Sequence, residues 1–278
     1  MTTFETREAL TEALSLHRAK GVSVGFVPTM GALHKGHISL VSRCRSENEV
    51  VVVSIFVNPS QFNDKNDLAL YPRTFRSDVE KLQAAGCDFL FAPEVEEMYP
   101  EEDRRQFDFG MLDKVMEGVS RPGHFNGVAQ IVSKLFDTIQ PQKAYFGEKD
   151  FQQLAIIRRM VGMLHYPVEI VGCPIVREAG GLAMSSRNTR LTEEQLRHAP
   201  VIADTLFRSR QKIAHTPLEE LKRQVKDRID NTGGMKVEYF EIVDRETLQP
   251  ATGYRKNALQ GCIAVQVGAV RLIDNISY

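Results

Sequence analysis

The chain has 278 residues, and its 35 basic and 36 acidic side chains give a net charge of −1. This length exceeds the usual size of one domain, and 42% hydrophobic and 26% charged residues are typical of an ordinary globular protein. The near-neutral balance argues against a general nucleic-acid-binding protein, which usually has a basic excess, but it allows a local basic pocket for a small anion.

The cysteines and the N-terminal segment bear on the cellular compartment. Cys44, Cys87, Cys173 and Cys262 are far apart and form no C-x-x-C pair, which argues against a zinc site or a disulfide framework. Glutamates interrupt the apolar positions of the first residues, unlike a signal peptide, and no apolar run approaches the roughly 20 residues of a membrane helix. We therefore expect a cytoplasmic protein with buried free thiols, no membrane segment and no nucleic-acid partner.

Apolar, strand-like segments alternate with helical patterns through the first two-thirds of the chain. The predicted strands are residues 22–27, 50–57, 88–91, 144–146 and 168–171. The predicted helices begin at residue 37 and then occupy residues 74–85, 128–139 and 154–164. Such alternation implies right-handed crossovers and an α/β fold with a parallel sheet and helices on both faces.

The pattern changes after residue 173. Residues 191–213 and 217–229 are predicted to form charged, exposed helices. Residues 237–243 and 262–267 are predicted to be antiparallel strands on either side of a turn-rich segment. We expect two domains, residues 1–175 and a smaller α+β domain of residues 176–278.

The most informative segment joins the first predicted strand to its helix and reads VPTMGALHKGH from Val27 to His37. Such a turn is where an α/β protein binds phosphate, because backbone N–H groups and the positive end of the helix dipole converge there. The imidazoles of His34 and His37 can both donate hydrogen bonds to phosphate oxygens. The alternative is that the two histidines only cap the helix, and the local pattern leaves both open.

Polar side chains also follow two other predicted strands. Gln61, in FVNPSQF, offers two donors and an acceptor beside apolar Phe62, as a small hydroxy acid would require; the alternative is an ordinary loop residue. Lys149, in FGEKDFQQL, precedes a helix for which Asp150 is a good N-cap. A cation at that position opposes the helix dipole, which an anionic ligand would relieve; a surface pairing with Glu148 or Asp150 is the alternative.

Three further segments carry chemistry that remains open. His124, in GHFNGV, is a cap or a ligand contact, and we favour a structural role. Ser185, Ser186 and Arg187, in MSSRN, suit a clamp on polyphosphate, although so short a motif is usually a loop. Asp78, in YPRTFRSD, is a candidate for Mg²⁺ binding, and the alternative is a carboxylate on a helix surface.

The segments PTMGALHKGH, SIFVNPSQF, YPRT, GHFNGV, FGEKDFQQL and MSSRN, in this order and spacing, closely resemble the pantoate–β-alanine ligase (pantothenate synthetase) family. The resemblance runs from about residue 24 to residue 188 and continues more loosely to RLIDN near the end. It implies a Rossmann-like nucleotidyltransferase domain with its HIGH motif at residues 34–37, a smaller C-terminal lid domain and a cytoplasmic homodimer. The implied reaction joins (R)-pantoate to β-alanine with ATP and Mg²⁺, through a pantoyl adenylate, and releases AMP and pyrophosphate.

The resemblance also implies roles for individual residues. His37 would be the proton donor, with His34 and Lys149 beside it at the phosphates. Gln61 would hold pantoate and touch β-alanine, and Gln153 would hold pantoate. The ATP contacts would be Met30, Gly31, Ala32, Leu33, His34, Lys35, Gly36, His37, Gly147, Glu148, Lys149, Asp150, Val176, Met184, Ser185, Ser186 and Arg187.

The resemblance is incomplete at the metal site, and two rival functions remain. Asp78 would bind Mg²⁺, but Ser77 stands where family members often carry a second acidic residue. One rival is a HIGH-type nucleotidyltransferase that keeps the nucleotide on its product, against which Gln61 and Gln153 argue. The other is a non-catalytic nucleotide- or RNA-binding module, and the near-neutral charge argues against RNA.

Overall fold

The computed structural model describes residues 1–278 apart from the side chain of Lys65. The chain divides into two compact units, each assembled from separate parts of the sequence. Unit 1 comprises Met1–Phe109, Arg121–Glu148 and Ile156–Pro174, and unit 2 comprises Gly110–Ser120, Lys149–Ala155 and Ile175–Tyr278. The domain boundary that we expect after residue 175 stays a prediction, because unit 2 also includes two short segments that precede it, Gly110–Ser120 and Lys149–Ala155.

Unit 1 is built on a six-stranded parallel sheet with the order β1-β4-β3-β2-β5-β6. The strands are β1 (Thr2–Phe4), β2 (Val24–Thr29), β3 (Val50–Ile55), β4 (Phe89–Phe91), β5 (Lys143–Gly147) and β6 (Glu169–Cys173). Nearly every side chain of β2 and β3 is buried, as expected of parallel strands covered on both faces. The predicted parallel α/β fold is confirmed, and the structure adds the edge strand β1.

The sheet changes its direction of growth at β2. The chain passes from β2 to β3 and β4 on one side, and β5 then pairs with the other side of β2. In open parallel sheets, ligands bind at the carboxyl ends of the strands at such a switch point. The turn that follows β2 and the segment that follows β5 therefore leave neighbouring strands at the edge where a ligand is expected.

The helices agree with the predicted ones in position, with one correction. In chain order they are α1 (Arg7–Arg18), α2 (Lys35–Glu47), α3 (Lys65–Ala69), α4 (Phe75–Ala84), α5 (Val95–Met98), α6 (Glu117–Ser120), α7 (His124–Ile139), α8 (Phe151–Leu164), α9 (Glu193–His198), α10 (Val201–Lys212) and α11 (Leu218–Asp230). The single helix predicted over residues 191–213 is wrong, because α9 ends before Ala199 and Pro200. Proline has no N–H to continue the hydrogen-bond ladder.

Unit 2 contains a three-stranded antiparallel sheet with the order β7-β8-β9. Its strands are β7 (Met235–Asp244), β8 (Leu259–Val267) and β9 (Val270–Ser277). The core of this unit combines apolar side chains of α10 and α11, such as Leu206 and Val225, with Phe240 and Ile263 of the sheet. The two predicted strands correspond to β7 and β8. The third strand, β9, was not predicted; it follows β8 after a tight turn at residues 268–269.

All four cysteines are buried and free. Burial raises the pKa of Cys44 and of Cys87 to about 12, so these thiols stay protonated at neutral pH. This agrees with the expected free thiols. In the part of the chain that the structure describes, every helix is too short or too polar to cross a bilayer.

A close contact at Gly25 in β2 gives a stability test. A Cβ there would overlap Cys44 Sγ and lie 2.5 Å from Asn48 Nδ2, whereas a Cβ at Gly162 in α8 meets no heavy atom within 4 Å. We expect Gly25→Ala to lower the free energy of unfolding by about 1–3 kcal/mol through overpacking. Gly162→Ala should leave it unchanged or raise it by up to about 1 kcal/mol. Urea denaturation of both variants checks this, and equal stabilities would contradict it.

Candidate active site

The turn after β2 contains consecutive residues with left-handed backbone. Gly31 has φ +80° and Ala32 has φ +50°. A non-glycine residue rarely adopts this conformation, so Ala32 needs contacts that hold it there. A Cβ added to Gly31 would lie 3.1 Å from Ile55 Cγ2, at the end of β3. The turn is therefore both conformationally restricted and closely packed.

The carboxylate of Asp78, in the first turn of α4, accepts hydrogen bonds from backbone N–H groups of the turn between β2 and α2, residues 30–34, which we call the β2 turn. Ala32 N donates to Asp78 Oδ2 and Leu33 N donates to Oδ1, each over 2.8 Å. Thr74 Oγ1 lies 3.1 Å from both carboxylate oxygens and donates to them. The side chain of Asp78 is only 1% exposed. Its interpretation as a helix-surface carboxylate is therefore wrong.

This geometry also bears on how phosphate and metal are held. We expect the backbone N–H groups of the turn to face phosphate. For Ala32 and Leu33 this is wrong, because both N–H groups already donate hydrogen bonds to the Asp78 carboxylate. The same contacts occupy the oxygens that a metal ion would need, so they favour a turn-holding role for Asp78. Among the described residues, no group of three His, Cys, Asp or Glu side chains is arranged to hold a metal ion.

The two histidines of the turn cap α2 through their Nδ1 atoms. His34 Nδ1 accepts from Gly36 N over 3.1 Å, and His37 Nδ1 accepts from His34 N over 3.3 Å. A neutral imidazole that accepts at Nδ1 carries its proton on Nε2. The capping and phosphate-binding interpretations are thus compatible, because one nitrogen of each ring caps the helix while the other is an N–H donor.

Gln61 lies at the end of a short 3₁₀ turn, Pro59–Gln61, after β3. Its Nε2 is 2.9 Å from Met30 Sδ, and its Oε1 accepts from Asn58 Nδ2 over 3.2 Å. The Oδ1 atom of buried Asn58 accepts from Tyr99 Oη over 2.9 Å and from Ser60 Oγ over 3.1 Å, which fixes the orientation of the Asn58 amide. The structure therefore brings Gln61 to the β2 turn and orients its carboxamide.

His124 holds the backbone of Gln61 rather than facing outward. Its Nδ1 lies 2.8 Å from Gln61 O, and its Nε2 lies 3.2 Å from Arg121 Nη1. Because an arginine only donates, Nε2 accepts and Nδ1–H donates to the carbonyl. Gly127, on the same helix, packs against the carbonyl of Ser60 so closely that a Cβ would overlap it. The geometry agrees with the structural role favoured for His124.

The segment after β5 differs from its predicted helix cap. Glu148–Asp150 form a 3₁₀ turn ahead of α8, so Asp150 lies inside this turn, and its interpretation as an N-cap is wrong. Within unit 2, Lys149 Nζ lies 3.2 Å from Asp150 Oδ2. Lys149 O accepts from Asn275 Nδ2 of β9 over 2.9 Å. The side chain of Gln153, on the first turn of α8, is half-buried.

A buried ion pair in unit 2 anchors the remaining predicted nucleotide contacts. Arg177 donates two hydrogen bonds to Asp274, of 2.6 Å and 2.9 Å, and Asp274 Oδ1 accepts from Asn275 N over 2.7 Å. Burial raises the pKa of Asp274, and the positive charge of Arg177 opposes that rise. Beside Arg177, Met184 N donates to Val176 O over 3.0 Å. Val176 and the MSSR segment are therefore neighbours.

The MSSR segment itself is an ordered helix start. Ser185 Oγ accepts from Arg187 N over 3.2 Å and so caps a 3₁₀ helix, Ser186–Arg190. Met184 and Ser186 are buried, whereas Ser185 and Arg187 are partly accessible. Of the predicted site residues, residues 30–37, Gln61, Asp78, Gly147 and Glu148 belong to unit 1, and Lys149, Asp150, Gln153, Val176 and residues 184–187 belong to unit 2.

Known proteins are similar to this chain along nearly its whole length. The family model for pantoate-beta-alanine ligase matches residues 2–277. Pantothenate synthetase of Bacteroides fragilis (strain YCH46) is 57% identical over 279 residues, which cover 100% of this chain and 99% of that protein. The chain belongs to the pantoate–β-alanine ligase family. The same enzyme of Porphyromonas gingivalis (strain ATCC BAA-308 / W83) is 54% identical over 280 residues, with 100% and 99% covered.

Solved structures of the family share this fold. Pantothenate synthetase from Thermus thermophilus superposes with a TM-score of 0.92 at 45% identity, covering 99% of each chain. Pantoate-beta-alanine ligase from Francisella tularensis, in complex with beta-gamma ATP and beta-alanine, superposes with a TM-score of 0.83 at 36% identity, covering 100% of this chain and 97% of that one. The chain therefore has the fold of these ligases and spans nearly the whole length of both solved chains.

Several residues that hold the ligase site were missed by sequence reasoning. Asn58 orients Gln61 and is itself held by Tyr99, and Arg177 pairs with Asp274 next to Val176. Tyr99 and Asp274 are remote in sequence from the residues that they hold. Asn58 could have been found from its place in the SIFVNPSQF segment, and Asp274 from the C-terminal RLIDN segment. Arg177 belongs to no quoted motif, so its role had no local signal.

The buried Arg177–Asp274 pair predicts a pH-dependent loss of stability. Arg177→Met would leave the Asp274 carboxylate buried and unpaired, at a cost of about 3–5 kcal/mol at pH 8. The loss should shrink towards pH 5, because removing the cation raises the pKa of Asp274 further and the protonated acid carries no charge penalty. Urea denaturation at both pH values measures it.

Arg208→Met is the matched control, because the Arg208–Asp204 pair is exposed. Removing that pair should cost less than about 1 kcal/mol, with little change between pH 5 and pH 8. A loss in Arg177→Met that is equally small, or that grows as the pH falls, would contradict the assignment.

Proposed function

We propose that this chain condenses (R)-pantoate with β-alanine, using ATP and forming pantothenate, AMP and pyrophosphate through a pantoyl adenylate. The observation that carries the proposal is the turn at the switch point of the sheet, where the HIGH-type histidines and Gln61 lie together in a chain that the family matches end to end. The Francisella relative, whose crystal structure is in complex with beta-gamma ATP and beta-alanine, supports the choice of substrates.

In the first step, a carboxylate oxygen of pantoate attacks the α-phosphorus of ATP and pyrophosphate leaves. The Nε2–H groups of His34 and His37 donate to phosphate oxygens, where negative charge accumulates in the transition state. The proton-donor role that the resemblance implies for His37 becomes a hydrogen bond to the departing pyrophosphate, because the neutral ring cannot release its Nε2 proton while Nδ1 accepts from His34 N. Lys149 and Arg187 balance the charge of the phosphates. These roles follow the family resemblance, and the Nδ1 contacts of both histidines support them.

The acceptor substrates are held by carboxamides. Because Oε1 of Gln61 already accepts from Asn58, we assign its Nε2 as the donor to pantoate. The family resemblance adds a contact between Gln61 and β-alanine. Gln153 is assigned the second contact with pantoate. Amides suit this task, since they hold a hydroxy acid without adding charge near the reacting anions.

In the second step, the amine of β-alanine attacks the acyl carbon of the adenylate and AMP leaves. No covalent bond to the enzyme is needed, and the four buried thiols are poor candidates for one. An acyl adenylate hydrolyses readily, so water must be excluded. We assign that task to the proposed lid domain of residues 176–278.

Magnesium, the proposed metal cofactor, finds no built protein site among the described residues. Asp78 does not fit, because its oxygens already accept hydrogen bonds from Ala32, Leu33 and Thr74. Mg²⁺ commonly binds through substrate phosphates and water with few protein ligands, and we propose that it enters in this way with ATP. The protein's own share of the charge balance is therefore assigned to Lys149, Arg187 and the two histidines.

We also propose that the enzyme acts as a cytoplasmic homodimer. The family resemblance supports the dimer. The buried and unpaired cysteines are consistent with a reducing compartment.

The adenylate route predicts ATP–pyrophosphate exchange that depends on pantoate and needs no β-alanine. Labelled pyrophosphate should enter ATP only when pantoate is present, because the first step is reversible on its own. Mass spectrometry of the complete reaction should then find free AMP. Absence of exchange would contradict the two-step route, and a product that retains the nucleotide would favour the rival nucleotidyltransferase.

Removing the imidazole of His37 should slow the first step. We expect His37→Ala to lower pantoate-dependent exchange by about 10²-fold or more, because a hydrogen-bond donor to the charge that develops in the transition state is lost. His215→Ala is the matched control, since His215 is exposed and belongs to unit 2. Circular dichroism should show both variants folded, and near-normal exchange in His37→Ala would remove His37 from the mechanism.

A further inference from the structure

Asp78 stands out as a buried charge that the proposed reaction does not use. Its side chain is 1% exposed, yet it is a carboxylate, and burying an unsatisfied charge is costly. Two backbone N–H groups at 2.8 Å and the hydroxyl of Thr74 at 3.1 Å satisfy it. All these donors belong either to the β2 turn or to the residue that precedes α4. The burial of this charge is therefore tied to the shape of the turn.

The turn requires such an acceptor. Gly31 and Ala32 are both left-handed, and for Ala32 this conformation is sterically unfavourable because its Cβ crowds the backbone. In that shape the N–H groups of Ala32 and Leu33 converge on one point, which suits an anion. The Asp78 carboxylate lies at that point, so both N–H groups have an acceptor within the protein.

A second side chain of α4 holds the same turn from its carbonyl side. Lys81 Nζ donates to Leu33 O over 2.7 Å and lies 3.7 Å from Asp78 Oδ1. Leu33 is therefore fixed at both its N–H and its C=O by residues one helical turn apart. Asp78 supplies the acceptor and Lys81 the donor.

The fixed Leu33 connects directly to the histidines. The next residue is His34, whose N–H donates to His37 Nδ1 over 3.3 Å, while its own Nδ1 accepts from Gly36 N over 3.1 Å. The direction of the His34 N–H depends on the peptide plane that it shares with Leu33 O. A rotation of that plane would break the contact that keeps the proton of His37 on Nε2.

We propose that Asp78 is a positioning residue for catalysis: its carboxylate sets the β2 turn so that His34 and His37 present Nε2–H donors to the phosphates. The proposal rests on the proposed function for the identity of the phosphates. Asp78 contacts no substrate in this scheme, and it acts through Leu33 and the two histidines. The alternative, a magnesium ligand, becomes one outcome of the test.

The direct test is Asp78→Asn, which keeps the shape of the side chain. One oxygen becomes an NH₂ group that faces a backbone N–H donor, so one hydrogen bond is lost and two donors oppose each other. Long-range ¹H–¹⁵N NMR of the imidazoles should show that His34 and His37 no longer carry their protons uniquely on Nε2. Pantoate-dependent pyrophosphate exchange should fall about tenfold or more in kcat, with the Mg²⁺ concentration for half-maximal exchange unchanged.

Asp103→Asn is the matched control for loss of a buried carboxylate in the same unit. Asp103 has a side chain that is 5% exposed, and it accepts from Arg105 N over 3.1 Å without touching the turn. This variant should lose stability while keeping the histidine spectra and kcat of the wild type. Thr74→Ser keeps the hydroxyl donor to Asp78 and should retain both readouts.

Lys81→Met provides the same test if Asp78→Asn does not fold, because Lys81 is 41% exposed and its loss is tolerated more easily. It should shift the same imidazole signals, with a smaller fall in kcat. Unchanged histidine spectra in the folded variants would overturn the proposal, and so would a change confined to the Mg²⁺ requirement. If the wild type shows no pantoate-dependent exchange, the proposed function fails, whereas the spectra still decide the role of Asp78.

Discussion

The hydrogen bonds between the Asp78 carboxylate and the N–H groups of Ala32 and Leu33 are the constraint on which the site depends. They stabilise a left-handed turn at the switch point of the sheet, and that turn begins α2 with two histidines. A strand-to-helix turn with unoccupied N–H groups would be a general anion site. Here an internal anion occupies part of it, so in the proposed function the phosphates are bound by side chains, among them those of His34 and His37.

A similar arrangement recurs in both units: residues to which we assign a role in the reaction are held in place by neighbours to which we assign none. Asn58 and His124 fix the carboxamide and the carbonyl of Gln61 in unit 1. In unit 2, Asn275 fixes the carbonyl of Lys149 and in turn contacts the carboxylate of Asp274. Buried polar networks of this kind add little net stability, but they narrow the orientations that a reacting group can adopt.

The sequence was a good guide where the physical signal is local. The continuous apolar runs of β2 and β3 predicted buried parallel strands, and the polar residues after them indicated the edge of the sheet where a ligand is expected. It failed at β1, whose three residues carry no pattern of burial, and at Pro200, which divides a segment with helical periodicity. The contacts of Asp78 with Leu33 and of Arg177 with Asp274 could not be predicted for another reason. These partners are 45 and 97 positions apart in the sequence, so only the fold brings them together.

The edge strand β1 has a consequence for how the chain folds. It pairs with β4, and the register joins Thr2 to Phe89 and Phe4 to Phe91. Contacts so distant in sequence form slowly, because a long loop must close before they gain any energy. Until then the apolar strand Phe89–Phe91 has an open edge, and open apolar edges promote association between chains. In the folded sheet Thr2–Phe4 cover this edge of β4, so the strand left at the edge of the sheet has only three residues.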